Sequence, residues 1–190
     1  MSAFPKPIHY AQQVLKNCIQ KGDVVVDATL GNGHDALLLA HLVGEKGHVF
    51  GFDVQEQAIA SSKERMKQAD MKSFTFYQLG HEKMEEVIPS THLPISAIMF
   101  NLGYLPNADK TVITKTKTTL FALKAAQGLL KEGGVMSLMC YPGHTGGDQE
   151  SEAVCEWAAS LSRNDFRVIQ YALQNAPNNP PFLILIEKLR

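Results

Sequence analysis

A short stretch near the amino terminus, VVVDATLGNGHDA at residues 24–36, constrains the fold more than any other part of the chain. An apolar run ends in Asp27, a small-residue turn follows from Leu30 to Gly33, and a helical pattern begins near His34. A buried strand that turns through glycines into a helix is the nucleotide-binding corner of an open α/β sheet. We therefore predict such a sheet, with the ligand at the carboxyl ends of its strands.

Two acidic residues favour one ligand class over another. A dinucleotide fingerprint needs G-x-G-x-x-G, and here Gly31 and Gly33 are followed by Ala36, which is a tolerated third residue. Asp27, however, ends the strand before the glycines, where a carboxylate repels a pyrophosphate and suits a cationic amino group. The pattern D-x-x-x-G-x-G resembles motif I of class I methyltransferases, which bind S-adenosylmethionine. Asp53 lies about 20 residues further on, where a carboxylate accepts ribose hydroxyls. NAD and a glycine turn without a nucleoside ligand are the alternatives.

Composition narrows the class of protein. The chain has 190 residues, 45% of them hydrophobic, and we predict a single methyltransferase domain over 1–190. We expect no membrane span or signal peptide. Three separated cysteines without C-x-x-C predict reduced thiols in a cytoplasm and no metal site. A net charge of −1 excludes a large contact with duplex nucleic acid and leaves a small one, such as a loop or an extruded base.

The hydrophobic periodicity alternates between helices and strands. The predicted helices are Pro7–Ile19, Asp35–Leu42, Gln55–Ala69, Glu82–Val87, Thr111–Lys131 (ended by Gly133-Gly134) and Glu150–Arg163. The predicted strands are Asp23–Ala28, His48–Asp53, Ser73–Gln78, Ile95–Asn101, Val135–Cys140, Phe166–Leu173 and Phe182–Lys188. The connection Gln174–Pro181 is too short for a crossover helix, so the last two strands must pair antiparallel. Seven strands with one antiparallel hairpin at the end resemble the sheet of class I methyltransferases. The resemblance implies a Rossmann-like fold with a seven-stranded, mostly parallel sheet of order 3-2-1-4-5-7-6 and an antiparallel last strand.

Residues at the carboxyl ends of the strands are the candidate cofactor contacts. Gly80 and His81 occupy the place where this fold contacts adenine, although a surface histidine without a ligand is the alternative. The full set of candidate cofactor-binding residues is Asp27, Gly31, Asn32, Gly33, His34, Asp35, Asp53, Gln55, Gly80 and His81.

Asn101, at the end of strand four, is the first candidate for catalysis. Amine methyltransferases of this fold carry (N/D)-P-P-(Y/F) there: the amide oxygen orients the target nitrogen and the aromatic residue stacks on the base. This chain has NLGY from Asn101 to Tyr104, which keeps the polar and aromatic positions and lacks both prolines. A loop asparagine that caps a turn is the alternative. The string NPPF at Asn179 matches the motif but follows strand six, so Asn179 is a substrate contact or a plain turn residue.

Other residues at the same edge suit an RNA substrate. Tyr141 and His144 lie in the glycine-rich loop after strand five, where they could stack on a base and take a proton, or serve only in a flexible loop. Lysines at 110, 115 and 117 follow strand four and fit a local RNA contact or a solvated helix face. The candidate catalytic residues are Asn101, Tyr104 and His144; the candidate substrate-binding residues are Tyr104, Lys110, Lys115, Tyr141 and Asn179.

Taken together, several segments resemble one family from about Pro7 to Lys188. They are VDATLGNGHDA, Asp53 with Gln55, Gly80-His81, NLGYLP at 101–106 with Asp109-Lys110, YPGHTGG and NNPPFLILIEK. The chain is similar to MnmM-type tRNA methyltransferases, long labelled "putative rRNA methylase", and departs from them at Asn107-Ala108, where glycines are expected. The resemblance implies methylation of the aminomethyl nitrogen of 5-aminomethyl-2-thiouridine at the tRNA wobble position, with S-adenosylmethionine as cofactor and the anticodon loop as partner.

Two other functions are compatible with these residues. One is a methyltransferase that acts on rRNA or on a small-molecule amine. The other is a protein that binds the cofactor without catalysis, which would have no need of a polar Asn101 and an aromatic Tyr104. The sequence leaves the oligomeric state open between a monomer and a homodimer.

Overall fold

The computed structural model describes residues 3–103, 113–143 and 145–190. Its α-helices are α1 (Pro7–Cys18), α2 (His34–Val43), α3 (Glu56–Gln68), α4 (Met84–Val87), α5 (Thr116–Leu129) and α6 (Gly147–Ser160). Its strands are β1 (Val24–Asp27), β2 (His48–Phe52), β3 (Phe74–Tyr77), β4 (Ile95–Leu102), β5 (Leu130–Cys140), β6 (Phe166–Tyr171) and β7 (Phe182–Lys188). Short 3₁₀ turns at His81–Lys83 and Ser90–His92 flank α4.

The strands form one sheet in the order β3-β2-β1-β4-β5-β7-β6, which confirms the predicted topology. β1 to β5 pair in parallel, and β7 runs antiparallel to both β5 and β6. The antiparallel hairpin follows from the short connection between β6 and β7. β6 therefore runs in the same direction as β1 to β5, and all their carboxyl ends meet at one edge.

Each face of the sheet carries its own hydrophobic core. Alternate residues of a strand point to opposite faces, so Val26 packs with α4, α5 and α6, whereas Val25 packs with α1, α2 and α3. Both valines are fully buried.

Polar residues such as Asp27 and His81 lie at the carboxyl ends of the strands. No helix within the described ranges has the length and apolar character to cross a bilayer.

Most predicted elements agree with the structure to within two residues, but the boundary between α5 and β5 is wrong. The predicted helix Thr111–Lys131 begins at Thr116 and ends at Leu129; residues 111 and 112 lie outside the described ranges. Leu130 is already extended and pairs with Ile95 of β4. The glycine pair therefore lies inside the strand. Gly133, with φ +71°, helps form a bulge where Ser96 of β4 lies opposite the four residues 131–134 of β5.

The last helix is also displaced from its prediction. The sequence pattern predicted Glu150–Arg163, whereas α6 runs from Gly147 to Ser160. The Glu150 amide donates to the Gly146 carbonyl at 3.1 Å, so the first helical turn starts directly after the glycine-rich loop. The earlier start places Glu150 in the first turn of α6 and leaves Arg163 in the turn before β6.

Candidate active site

The glycine turn after β1 is fastened to the two neighbouring strands by its backbone. The Ala28 amide donates to the Met99 carbonyl of β4 at 2.8 Å, and the Leu30 amide donates to the Phe52 carbonyl of β2 at 2.9 Å. The chain then reverses through Gly31 and Gly33, both with positive φ, and enters α2. The sequence VVVDATLGNG therefore forms the predicted strand–turn–helix corner at the carboxyl edge.

Asp27 is a buried carboxylate with an incomplete set of partners. Its side chain is 1% exposed, and Oδ1 accepts from the Thr29 amide at 3.3 Å. Among the described residues, Oδ2 is the one buried side-chain polar atom without a hydrogen-bond partner. Burial raises the pKa of Asp27 to about 8, and the negative charge of Asp35 adds to this effect. An unpartnered buried acceptor of this kind calls for a donor from a ligand.

Asp53, directly after β2, is a half-buried carboxylate held by two backbone amides. Its Oδ2 accepts from the Gly31 amide at 3.0 Å, and its Oδ1 accepts from the Gln55 amide at 2.9 Å. A carboxylate oxygen has two acceptor positions, so each oxygen keeps one for a hydroxyl group. Asp53 and Gln55, predicted as cofactor contacts, thus lie together beside the glycine turn.

Two residues of α3 that the sequence analysis missed hold the carbonyls of this turn. Ser62 is fully buried and its hydroxyl donates to the Gly31 carbonyl at 2.9 Å. The Arg65 Nε donates to the Asn32 carbonyl at 2.7 Å, while its Nη2 lies 3.2 Å from Nε2 of the exposed His34. Their spacing of three residues indicates that both side chains lie on the same face of α3. Nothing in the sequence indicates that this face contacts the glycine turn.

Replacing Gly33 by alanine tests this tight packing. A Cβ at Gly33 would lie 2.7 Å from Ser62 Oγ and 3.0 Å from Ser62 Cα, on a backbone with φ +74°. We expect G33A to lower the free energy of unfolding by about 2–4 kcal/mol, from backbone strain plus overpacking. G133A is the matched control because Gly133 has φ +71° and open space around it, so it should lose only about 1 kcal/mol. Equal losses in urea unfolding would show that Ser62 does not constrain the turn.

The backbone and the side chain of Asn101 are both fixed. Asn101 is the seventh residue of β4; its amide donates to the Thr29 hydroxyl at 2.7 Å, and its Nδ2 donates to Asp35 Oδ2 at 2.9 Å. Because a carboxylate only accepts, the nitrogen of the side-chain amide must be the atom that faces Asp35. The contact leaves Oδ1 as the acceptor end, directed away from Asp35. The structure thus brings the predicted catalytic Asn101 against Asp35, which was predicted as a cofactor contact.

His81, the predicted adenine contact, packs against the interior of the protein. Its side chain is 7% exposed, and Nδ1 lies 3.1 Å from the Ala28 carbonyl, so Nδ1 carries the proton. The ring packs edge-on against Phe100 at 5.7 Å between centroids. Burial lowers the pKa of His81, which keeps the imidazole neutral. Gly80 precedes it at the edge of the sheet and remains a predicted adenine contact.

The predicted substrate residues are divided between described and undescribed parts of the chain. Tyr141 is half-buried after β5, where burial and then the charge of Asp35 raise the pKa of its phenol. Lys115 is exposed at the start of α5. Asn179 is exposed in the turn before β7 with φ +43°, a conformation typical of turn asparagines. Tyr104, Lys110 and His144 lie outside the described residues, as does Asn107-Ala108.

Glu150 is a further residue that the sequence analysis treated only as the start of a helix. It is 3% exposed and accepts 2.6 Å hydrogen bonds from the hydroxyls of Thr114 and Thr119. The Thr114 amide in turn donates to the Gly103 carbonyl at 2.8 Å. Glu150 therefore joins α6 and α5 to the point where the chain returns from residues 104–112.

The residues of this edge fit S-adenosylmethionine. The unpartnered Asp27 Oδ2 matches the ammonium of a methionine moiety, and Asp53 keeps acceptor positions for ribose hydroxyls. Asp35 adds a third carboxylate whose charge is felt at Asp27. The charges of Asp35 and Asp53, and that of Asp27 once a cation binds beside it, oppose a pyrophosphate and favour a cationic ligand. The fit therefore supports the methyl donor rather than NAD.

Comparison with known proteins agrees with this site. The family model described as "Putative rRNA methylase" matches residues 49–187. A protein of Arabidopsis thaliana named tRNA (mnm(5)s(2)U34)-methyltransferase, chloroplastic, is 37% identical over 192 residues, covering 96% of this chain and 70% of that protein.

Two solved structures extend the likeness to the whole fold. A protein of Clostridium thermocellum described as a putative rRNA-methylase superposes with a TM-score of 0.94 at 38% identity, over 98% of this chain and all of that one. A Streptococcus mutans protein described as a putative methyltransferase, solved with S-adenosylhomocysteine, has a TM-score of 0.89 at 38% identity, over 98% of this chain and 99% of that one. By sequence and by structure, this chain belongs to the family described as "Putative rRNA methylase", a family of S-adenosylmethionine-dependent class I methyltransferases.

Proposed function

We propose that this protein methylates the aminomethyl nitrogen of 5-aminomethyl-2-thiouridine at the wobble position of tRNA. The observation that carries the proposal is the fixed amide of Asn101 at the carboxyl edge, beside the site for the methyl donor. An amide oxygen accepts N–H bonds, so it selects an amine nitrogen rather than an aromatic carbon. The similarity to the Arabidopsis tRNA methyltransferase supports the same substrate class.

The described residues suit the transfer of a methyl group to an alkyl amine. When bound, S-adenosylmethionine supplies an electrophilic methyl group on a sulfonium, which leaves as a neutral thioether. Asn101 Oδ1 accepts an N–H of the neutral amine and aligns the nitrogen lone pair with the methyl carbon. The new N–C bond gives a secondary ammonium, which loses its proton to His144 or to solvent. Asp35 and the other carboxylates favour the cationic methyl donor and the ammonium that forms on the product.

The partner in this proposal is the anticodon loop of tRNA. The wobble base is already single-stranded, so turning it out of the loop costs little free energy. Lys115 and Lys117, both exposed at the start of α5, are the proposed contacts to backbone phosphates, and Tyr141 lies within reach of the charge of Asp35. Tyr104, Lys110 and Asn179 complete the proposed substrate contacts, with His144 as a proposed proton acceptor.

We also propose that the protein acts in the cytoplasm. All three cysteines, Cys18, Cys140 and Cys155, are free thiols, which is typical of a reducing compartment. Fractionation of cells that express a tagged chain tests the location, and recovery in an organelle or outside the cell would contradict it.

Methyl transfer to defined RNA tests the function. We expect purified protein with labelled S-adenosylmethionine to label bulk tRNA, but not rRNA, from a strain that lacks the gene. Mass spectrometry of the digested tRNA should show 5-aminomethyl-2-thiouridine converted to its methylated form. Label in rRNA alone, or in a small-molecule amine fraction, would replace the proposed substrate with one of these two. The same tRNA from a strain that carries the gene is the control and should accept little label.

A further inference from the structure

Asp35 accepts hydrogen bonds from two side-chain amides, one on α1 and one on β4. Gln12 Nε2 of α1 donates to Oδ1 at 3.0 Å, and Asn101 Nδ2 of β4 donates to Oδ2 at 2.9 Å. The two hydrogen bonds thus connect Gln12 of the first helix, through Asp35, to the proposed catalytic amide of Asn101. Gln12 and Asp35 both precede the residues that the family model matches.

The orientation of Asn101 is not set by its own torsion angles. The terminal torsion of an asparagine is broad and nearly two-fold, so its amide can present either its oxygen or its nitrogen to a given side. An amide turned by 180° would offer N–H donors where the substrate nitrogen also has N–H donors. The carboxylate of Asp35 prevents this, because it accepts from the nitrogen end alone.

Gln12 in turn fixes the carboxylate. The Asp35 side chain also has a broad terminal torsion, and it lies close enough to Asp27 and Tyr141 to raise the pKa of each. A donor on Oδ1 holds the carboxylate plane so that Oδ2 stays on Asn101. Without Gln12, the carboxylate can rotate, and Asn101 loses its fixed partner.

We propose that Gln12 is a positioning residue: through Asp35, it holds the Asn101 amide so that Oδ1 is the atom offered to the substrate amine. The inference rests on the proposed function, because it explains how this site selects an amine. Gln12 therefore influences the methyl-transfer step from α1 without contacting either reactant.

The adjacent glutamine provides a matched control. Gln13 follows Gln12 on α1 and is exposed, so Q13A removes the same side chain one position away. With saturating S-adenosylmethionine and unmodified tRNA, we expect Q12A to lower the single-turnover rate about 10- to 100-fold. The dissociation constant for S-adenosylhomocysteine should stay within about twofold of wild type, as should both quantities in Q13A. Equal loss of rate and cofactor affinity in Q12A would overturn the proposal.

A second measurement is independent of the RNA substrate. In ¹⁵N-labelled protein with S-adenosylhomocysteine bound, the Asn101 side-chain amide can be assigned as the signal that N101A lacks. We expect its hydrogens to shift and to exchange faster in Q12A, and to be unchanged in Q13A. An unchanged Asn101 signal in Q12A would overturn the positioning role. If the wild-type protein methylates no tRNA while the Asn101 signal responds to Q12A, the proposed function fails and the positioning role stands.

Discussion

Replacing Asn101 by alanine should lower the rate of methyl transfer by about 100-fold or more and leave cofactor binding unchanged. The side chain supplies the acceptor that aligns the substrate nitrogen, and loss of alignment typically costs this much in rate. The predicted cofactor contacts are instead Asp27 and Asp53, which N101A leaves in place. Single-turnover transfer to tRNA and calorimetry with S-adenosylhomocysteine measure the two quantities separately.

Two further variants serve as controls for N101A: one replaces an exposed asparagine, and the other replaces the Asn101 amide by a carboxylate. Asn164 lies in the exposed turn before β6, so N164A should retain full activity. N101D keeps the shape but replaces the donor to Asp35 by a carboxylate, and the two like charges should make it as inactive as N101A near neutral pH. Unchanged turnover in N101A would remove Asn101 from the mechanism, whereas loss of S-adenosylhomocysteine binding would make it a cofactor contact.

The sequence predicted those parts of the fold that depend on local pattern. The corner from Asp27 to Gly33 follows from an apolar run, a small-residue turn and a helical start, all within a few residues. The antiparallel hairpin follows from the length of one connection. Both rules need no knowledge of distant contacts. The order of the strands, in contrast, was predicted because the pattern of elements resembles the class I methyltransferase sheet.

The boundary between α5 and β5 shows what local pattern cannot supply. A glycine pair normally ends a helix, but Leu130 leaves the helix earlier because it pairs with Ile95 of β4. That pairing depends on the register between two strands and on a bulge of extra residues, neither of which the sequence around Leu130 reveals. Tertiary pairing therefore overrode the local helix-stop signal.

The same reasoning separates the predicted site residues from the missed ones. Asp27 and Asp53 stand at fixed offsets from the glycines, so a motif finds them. Gln12 and Ser62 reach the site from α1 and α3, across 23 and 31 residues of sequence, and a polar residue on a helix is usually only solvated. Their roles become visible only when the sheet order places those helices beside the turn.

Replacing Asp27 by asparagine should have the largest effect on the cofactor. An amide cannot offer the ammonium a charged partner, so we expect the affinity for S-adenosylhomocysteine to fall about 100-fold, the usual consequence of removing one member of a buried charge pair. In the wild type, binding favours the ionised form of a carboxyl whose pKa is about 8 and releases a proton. Affinity should therefore rise with pH up to about 8 and then level off. D148N, which changes an exposed residue of α6, is the control and should bind as wild type.

The same substitution should stabilise the protein in the absence of cofactor. Folded Asp27 keeps its proton up to about pH 8, whereas the unfolded chain loses it near pH 4. Between these values, the folded state binds more protons, so its stability falls as the pH rises. The advantage of D27N in urea unfolding should be small at pH 4 and grow to a few kcal/mol at pH 8. If the free energy of unfolding depended on pH in the same way in D27N and wild type, Asp27 would be ionised in the folded protein. Its burial would then not destabilise the protein as expected here.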